Sequence, residues 1–246
     1  MITIAILSTE GGVGRTSLAV SLASNLAAVG RQVRLLQLDP ANTLPVHLGL
    51  GTPGDEPGVL ACVTGQCLPD EGMLGHDGGF KAMSFGQADL NALIKFDQLM
   101  AEQPALLPGR LLNGVEPQEL VIIDLPRWPS AACQAVLRLT DLNLVLMAPD
   151  TNSALGIDRV LPDLLASRGA SYFVMNRFDS SKVLHLDLWT LCKSKLGHRL
   201  LPFYLHEDQA LPESVAAGVP LMGYAPRSQL VEDHQKLCNW IDSELS

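Results

Sequence analysis

The sequence predicts an α/β protein with a doubly wound, mostly parallel sheet and helices on both faces. Short apolar runs of strand length alternate with segments of helical periodicity along the chain. These runs are apolar throughout rather than at every second position, which is typical of a sheet covered on both faces. No internal repeat or linker breaks the alternation, so residues 1–246 are expected to form one domain.

The predicted elements follow in order from these two patterns. Residues 3–7 form the first strand, and Leu18, Leu22 and Leu26 then recur at helical spacing until Gly30 ends the helix. Further strands are predicted at 33–38, 80–85, 120–124, 142–147 and 171–176 and near 199–203. Further helices are predicted around 57–65, 87–102, 130–139, 153–167, 181–196, 208–217 and 228–244. The Gly/Pro-rich stretch 49–79 is predicted to consist mainly of loops.

The composition narrows the class of protein. Apolar residues make up 47% of the chain and charged residues 17%, which excludes a disordered chain. No apolar run approaches the roughly 18 residues of a membrane span, and the N-terminus lacks the features of a signal peptide. Five scattered cysteines are typical of reduced thiols. We therefore expect a cytoplasmic protein.

A glycine-rich segment, STEGGVGRTS (8–17), directly follows the first strand and leads into a helix. Successive glycines let backbone N–H groups turn toward one point, and the helix adds its positive N-terminal end. The standard phosphate-binding loop, or P-loop, reads G-x-x-x-x-G-K-[ST]. Here Thr9 stands at the first glycine and Arg15 at the lysine, while Gly14 and Thr16 fit the pattern. The segment predicts an anion cradle of irregular sequence.

Three segments together resemble the deviant P-loop ATPases of the ParA/MinD group. They are EGGVGRTS (10–17), LLQLDP (35–40) and LVIIDLPR (120–127). The group has K-G-G-x-G-K-T, D-x-D-P and a strand Asp followed by T-P-P at these places. VMNRFD (174–179) and residues 201–221 are also similar to the group's base-binding segments, so the resemblance covers essentially the whole chain. It implies a P-loop NTPase fold with ATP and Mg²⁺ as cofactors.

Within that group, three stretches resemble the BcsQ branch, the ParA-like proteins of bacterial cellulose-synthase operons. They are MSFGQ (83–87), NRFDSSKVLHLDLW (176–189) and GHRLLPFYLHEDQALPESVAAG (197–218). This resemblance, rather than composition or spacing, implies components of the cellulose-synthase complex as partners.

The resemblance also assigns roles to residues at the phosphates and the metal. The phosphate cradle would consist of Gly11, Gly12, Val13, Gly14, Arg15, Thr16 and Ser17. Thr16 and Asp124 stand where the group binds Mg²⁺, and Asp39 stands where it orients the attacking water. Each acid has an ordinary alternative: Asp124 as a polar strand end and Asp39 as a turn-initiating residue before Pro40.

At the nucleotide base, the resemblance assigns three residues. Asn176 follows a buried strand and would read adenine through its side-chain amide, although an Asn there could also cap a turn. Arg177 would stack on the base or lie on the surface. Pro202 and the residues behind it would form a wall of the base site.

Four positions depart from the group's pattern in ways that argue against fast hydrolysis. Arg15 replaces the P-loop lysine, and its planar guanidinium is not equivalent to an ammonium. Glu10 replaces the signature lysine that reaches the partner's nucleotide, and a carboxylate there would repel phosphate. Gln37 replaces the first acid of D-x-D-P, and Arg127 replaces the second proline. Hydrolysis is therefore expected to be weak or absent.

The altered charges also suggest a dimer contact. In a face-to-face homodimer, Glu10 of one chain could pair with Arg15 of the other, which makes Glu10 a dimer-interface candidate. A heteromeric partner that supplies the missing lysine is the alternative.

Direct binding to DNA or lipid is not expected. Residues 199–246 hold three basic residues, Arg199, Arg227 and Lys236, against seven acids. Nonspecific DNA binding needs several phosphate contacts, and a lipid-binding amphipathic helix is usually basic. The C-terminal helix is instead predicted to pack on the core.

These observations leave three functions open. The first is an ATP-binding regulator or scaffold for bacterial cellulose biosynthesis and secretion, recruited by partners to the inner face of the membrane. The second is an active dimeric switch ATPase that positions another cargo. The third is an interaction protein that has lost nucleotide. Turnover and nucleotide-induced stabilisation separate them.

Overall fold

The computed structural model describes residues 1–51, 54 and 56–245, so part of the predicted loop region 49–79 lies outside the described residues. The strands are β1 Ile2–Leu7, β2 Val33–Gln37, β3 Leu74–Gly75, β4 Lys81–Met83, β5 Leu120–Asp124, β6 Leu142–Met147 and β7 Ala170–Met175. They form one sheet in the order β3-β4-β2-β5-β1-β6-β7. All neighbours are parallel except β3 and β4. The predicted doubly wound, mostly parallel sheet is confirmed.

The helices of the described residues lie between these strands or follow β7. They are α1 Arg15–Ala28, α2 Leu44–His47, α3 Val59–Val63, α4 Leu90–Glu102, α5 Leu106–Leu111, α6 Ala131–Leu137, α7 Thr151–Leu165, α8 Val183–Leu196, α9 Ala210–Ala217, α10 Leu221–Tyr224 and α11 Gln229–Glu244. Short 3₁₀ turns lie at Pro69–Gly72 and Gly197–Arg199. In the described part of the chain, no helix is both long and apolar enough to cross a membrane.

The core lies on both faces of the sheet because successive side chains of each strand point to opposite faces. In β1, Ala5 and Leu7 belong to one apolar cluster, and Ile4 and Ile6 belong to the other. All four side chains are fully buried. This explains why the strands are apolar throughout in the sequence.

The prediction of a strand near 199–203 is wrong. Leu200 forms an isolated bridge with Phe173, and the Leu201 N–H donates to the Phe173 carbonyl, but no strand develops. Pro202 follows directly and has no N–H with which to continue a ladder. The predicted strand 80–85 is shortened to Lys81–Met83.

The C-terminal helix α11 packs on α1, as its apolar stripe predicts. Leu230, Leu237 and Ile241 are buried in the same cluster as the apolar side of α1. His234 is buried beside them and lines a small cavity with Ser24 and Asn25. Burial lowers the pKa of His234 to about 4.

Candidate nucleotide-binding site

The glycine-rich loop connects the end of β1 to the start of α1, at the carboxyl edge of the sheet. Gly12 and Gly14 have φ values of +72° and +93°, a conformation that side-chain-bearing residues rarely adopt. A Cβ atom on Gly14 would also lie 2.8 Å from Nδ2 of Asn176. The backbone geometry and this close approach both require glycine at position 14.

No side chain caps the first turn of α1. Gly14 is the N-cap residue and offers no side-chain hydrogen bond to the helix, which begins at Arg15. The first N–H groups of a helix have no partner within the helix, and together with the dipole they favour an anion. The residues predicted for the cradle, Gly11 to Ser17, lie at this helix N-terminus, and their contact with phosphate stays a prediction.

Thr9, which replaces the first glycine of the loop, is accommodated by a glycine on another helix. Its side chain is buried against Gly156 of α7, where an added Cβ would lie 2.1 Å from the Thr9 Oγ1 atom. A glycine inside a helix costs about 0.5–1 kcal/mol relative to alanine. Here it provides the space that the threonine occupies.

Arg15 is bonded within its own chain. Its Nη2 donates to Asp39 Oδ2 at 2.7 Å and its Nη1 donates to the Ser8 hydroxyl at 3.0 Å. The side chains of Arg15 and Asp39 are only 11% and 15% exposed. Asp39 also accepts a hydrogen bond from the Ala41 N–H. The expected pairing of Arg15 with Glu10 of a second chain would require this ion pair to open.

Thr16 and Asp124 lie together, as expected for two metal ligands. The Thr16 hydroxyl donates to Asp124 Oδ2 at 2.7 Å, and Gln37 Nε2 donates to the same oxygen at 3.2 Å. The other oxygen, Asp124 Oδ1, is buried without a hydrogen-bond partner. Burial raises the pKa of Asp124 to about 6, against the lowering effect of the Thr16 hydrogen bond.

These residues fit a magnesium ion. A buried carboxylate oxygen without a partner needs a physical explanation, and an ion is one. Mg²⁺ prefers oxygen ligands and is usually held by one or two carboxylates together with substrate phosphates and water. Thr16 and Asp124 would hold the ion, which would neutralise phosphate charge when bound. Among the described residues, no group of three or more His, Cys, Asp and Glu side chains is placed to hold a metal.

Gln37 connects the metal ligand to the following loop. It is fully buried at the end of β2, and its Oε1 accepts a hydrogen bond from the Leu44 N–H at 3.1 Å. Its Nε2 lies 3.4 Å from the Thr43 hydroxyl. The neutral amide of Gln37 therefore positions Asp124 Oδ2, whereas the ParA/MinD pattern has the first acid of D-x-D-P at position 37.

A cavity of about 660 Å³ opens beside the loop on the β7 side of the sheet. It is lined by Gly12, Gly14, Ser17, His47, Asn176, Arg177, His206, Glu207, Asp208, Gln209, Leu211, Pro212, Val215 and Leu230. Its mixed polar and apolar lining suits a nucleoside. Two of the three residues predicted for the base, Asn176 and Arg177, border it.

Asn176 and Arg177 are bonded to the loop itself. Nδ2 of Asn176 donates to the Val13 carbonyl at 2.8 Å, and Nη1 of Arg177 donates to the Gly12 carbonyl at 3.3 Å. Arg177 has a φ of +57° and forms an ion pair with Glu207. Both side chains therefore position the phosphate loop, in addition to bordering the cavity.

Pro202 does not line this cavity, so that prediction is corrected. It is exposed and follows Leu201, which is bonded to Phe173 in the middle of β7. Asn176 lies three residues farther along, which corresponds to about 10 Å at the rise of a strand. Pro212, at the start of α9, lines the cavity instead.

Glu10 and Arg127 lie side by side at the other end of the site. Nη1 of Arg127 is 3.9 Å from Oε2 of Glu10, and the two side chains are 61% and 25% exposed. Both residues depart from the ParA/MinD pattern, but sequence reasoning treated them separately. Their opposite charges were the available signal that they lie together.

The chain matches a known protein family over almost its whole length. A family model described as cellulose biosynthesis protein BcsQ matches residues 1–241. The chain is 25% identical over 242 residues to the cellulose biosynthesis protein BcsQ of Escherichia coli K12, covering 98% of this chain and 94% of that protein.

Solved structures show the same fold. The septum site-determining protein MinD from Pyrococcus horikoshii, complexed with Mg-ADP, has a TM-score of 0.76 at 18% identity and covers 100% of this chain and 97% of its own. Cobyrinic acid a,c-diamide synthase from Mycobacterium smegmatis, with a bound ATP analogue and magnesium, has a TM-score of 0.79 at 17% identity and covers 97% and 93%.

Proposed function

Because this chain belongs to the BcsQ family of ParA/MinD-like proteins, we propose that it binds ATP with Mg²⁺ and regulates or scaffolds bacterial cellulose biosynthesis and secretion. The relatives' names suggest the cellulose role. The cofactors are suggested by the ligands of the solved structures and by the site itself.

The observation that carries the nucleotide proposal is the contact between Thr16 and Asp124. It joins the first turn of α1 to the end of β5 through Asp124 Oδ2. The other carboxylate oxygen, Asp124 Oδ1, is buried without a hydrogen-bond partner. In this proposal the loop N–H groups bind phosphate oxygens, and Thr16 and Asp124 hold the ion. The cavity beside Asn176 takes the base.

Slow or absent hydrolysis is part of the proposal. Asp39, the candidate for orienting water, is bonded to Arg15, so neither group is available without a rearrangement. Glu10 places a negative charge at the lip of the site. In related NTPases, an arginine supplied to the transition state is worth roughly 10³–10⁵ in rate. A long-lived ATP-bound state would then act as the signal.

The proposed partners are components of the cellulose-synthase complex. The working form would be a homodimer or a heteromer in the cytoplasm, and partners would recruit it to the inner face of the membrane. Glu10 remains a candidate for the interface because its side chain is partly exposed at the lip of the site.

Ligand-induced stabilisation tests the nucleotide proposal. The melting temperature is measured with ATP, ADP or a nonhydrolysable ATP analogue, each with Mg²⁺. Ligand at about 100 times its Kd stabilises the fold by about 2.7 kcal/mol. Thr16→Ala is expected to lose the shift. The matched control is Thr190→Ala, since Thr190 is an exposed residue of α8 that bonds only its own helix.

The outcomes separate the three functions left open by the sequence. A shift without phosphate release supports a static ATP-bound regulator. A shift with turnover that depends on Asp39 indicates an active switch ATPase. The absence of any shift at millimolar nucleotide indicates an interaction protein and contradicts the proposal.

A genetic experiment tests the cellulose role. Deletion of the gene is expected to reduce cellulose output and assembly of the synthase, and the Thr16→Ala gene is expected not to restore them. Unchanged cellulose in the deletion strain would remove this part of the proposal while leaving nucleotide binding intact.

A further inference from the structure

Arg127 lies beside Glu10 at the edge of the candidate site, on the loop that follows β5. The backbone of this loop is held by hydrogen bonds. The Trp128 N–H donates to the Ser8 carbonyl at 2.8 Å, which attaches this loop to the residue before Thr9. Nε1 of Trp128 donates to Asp163 at 2.8 Å, and the Arg159 guanidinium lies 5.5 Å from the Trp128 ring centre. The position of Arg127 relative to the phosphate loop is therefore fixed.

The Arg127 side chain, in contrast, is weakly held. It is 61% exposed, and its ion pair with Glu10 spans 3.9 Å, which is too long for a hydrogen bond. Exposed ion pairs of this kind contribute little, typically 0–1 kcal/mol. A stronger anion nearby would therefore displace Glu10 from Arg127 easily.

The order of the strands determines which part of a nucleotide would meet Arg127. Across the sheet the order is β5, β1, β6, β7, with strands about 4.8 Å apart. Asn176 and the base cavity lie past the end of β7, the phosphate loop follows β1, and Arg127 follows β5. A nucleotide with its base in that cavity and its phosphates on the loop points its terminal phosphate toward β5.

The charges at the β5 end of the site would also favour a cationic side chain near the terminal phosphate. Arg15 is bonded to Asp39, Glu10 is acidic, and Asp124 lies just behind the loop. With Mg²⁺ on Asp124 and Arg15 paired with Asp39, Glu10 is the acidic group left near a triphosphate, and Arg127 is the basic group beside it. The planar guanidinium of arginine suits phosphate oxygens well.

We propose that Arg127 contacts the terminal phosphate of ATP bound to its own chain, leaving Glu10 when the triphosphate enters. This rests on the proposed function, because it requires a nucleotide in the site. It assigns to this chain a basic residue that distinguishes ATP from ADP. Glu10 would weaken ATP binding by competing for Arg127.

Titration calorimetry with Mg-ATP and Mg-ADP tests this assignment. Arg127→Ala is expected to weaken ATP binding about 10-fold or more, the usual loss for a hydrogen bond to a charged group. ADP binding is expected to change by less than about twofold. Glu10→Gln is expected to tighten ATP binding, but only while Arg127 is present. Arg127→Lys is expected to give an intermediate ATP affinity.

Arg168→Ala is the matched control. Arg168 is 64% exposed and paired with Asp141, which directly precedes β6 and so lies at the opposite end of the strand from the site. The loss of Arg168 is therefore expected to change neither the ATP nor the ADP affinity. Melting temperatures without ligand confirm that each variant is folded. If Arg127→Ala weakens the binding of ATP and ADP equally, or weakens the binding of neither, the inference is wrong while the proposal of nucleotide binding stands. If the unaltered chain binds neither nucleotide, the proposed function fails and the inference with it.

Discussion

The Arg15 guanidinium donates to the Asp39 carboxylate across 2.7 Å, joining the phosphate loop to the loop that follows β2. The resemblance to the ParA/MinD group predicts that Arg15 contacts the phosphates and that Asp39 orients the attacking water. In the structure each group neutralises the charge of the other. Nucleotide binding must therefore compete with an ion pair that the protein already contains.

Asp39→Asn is expected to lower the free energy of unfolding by about 1–3 kcal/mol, less than for a fully buried pair because some water reaches it. The same change frees the Arg15 charge, so phosphate affinity is expected to rise severalfold. Denaturant titration measures the first effect and calorimetry with Mg-ADP the second.

Asp242→Asn is the control for that experiment. Asp242 accepts from Arg31 at the same distance of 2.7 Å, but the two side chains are 37% and 34% exposed. Its loss is expected to cost less than about 1 kcal/mol and to leave nucleotide affinity unchanged. Equal nucleotide affinities of Asp39→Asn and the unaltered protein would show that the ion pair does not compete with phosphate.

Gln37→Glu is expected to make stability depend on magnesium. The substitution places a second carboxylate against Asp124 Oδ2, where the Gln37 amide now donates at 3.2 Å. Without Mg²⁺ the buried repulsion is expected to cost about 2–4 kcal/mol, and added Mg²⁺ is expected to recover part of it. Gln37→Met removes the hydrogen bonds without adding charge, so its smaller loss, about 1–2 kcal/mol, is expected to be insensitive to Mg²⁺.

Gly156→Ala is expected to destabilise the protein through Thr9. The new methyl group would lie 2.1 Å from Thr9 Oγ1, and a steric conflict of this kind costs about 1–3 kcal/mol. The double variant Thr9→Gly with Gly156→Ala is expected to regain most of this loss. Gly109 of α5 has open space at its Cβ position, so Gly109→Ala is expected to be neutral or stabilising. Additive losses in the double variant would mean that the two residues are not coupled.

His234 is expected to make the fold sensitive to acid. Its pKa is lowered to about 4 by burial, so the folded protein binds fewer protons than the unfolded chain between pH 6.5 and about 4. The contribution of His234 to stability therefore falls as pH falls through this window, by roughly 2 kcal/mol between pH 7 and pH 5. Asp124, whose pKa is raised to about 6, contributes in the opposite direction over the same range. The charge of the neighbouring Asp233 opposes the effect of burial on His234, and the facing Ser24 and Asn25 of α1 are neutral. Denaturant unfolding at each pH is expected to show His234→Gln gaining stability relative to the unaltered protein as pH falls from 7 to 5, and a constant difference between the two would contradict this.

The parts of the site that depend on strand ends could be predicted from the sequence. Thr16 and Asp124 are 108 residues apart, yet their contact follows from two parallel strands that end at one edge of the sheet. The fold class followed from the same alternation of apolar strands and helices.

The side-chain contacts of Arg15 and Thr9 could not be predicted from the sequence. Nothing in the spacing of Arg15 and Asp39 shows that they bond, and the space for Thr9 comes from a glycine on a distant helix. Pro202 was misplaced because family resemblance gives the order of segments but not the height at which a segment crosses its neighbouring strand.

The two edges of the sheet affect how this protein can assemble. At one edge β3 is only two residues long, and at the other the chain at 200–205 lies along β7, with the Leu201 and Leu205 N–H groups bonded to Phe173 and Met175. Over the described residues, neither edge presents a long unpaired backbone that a strand from another molecule could extend. Strand addition is therefore disfavoured, and we expect partners to be recognised through side-chain surfaces, where specificity can change without altering the sheet.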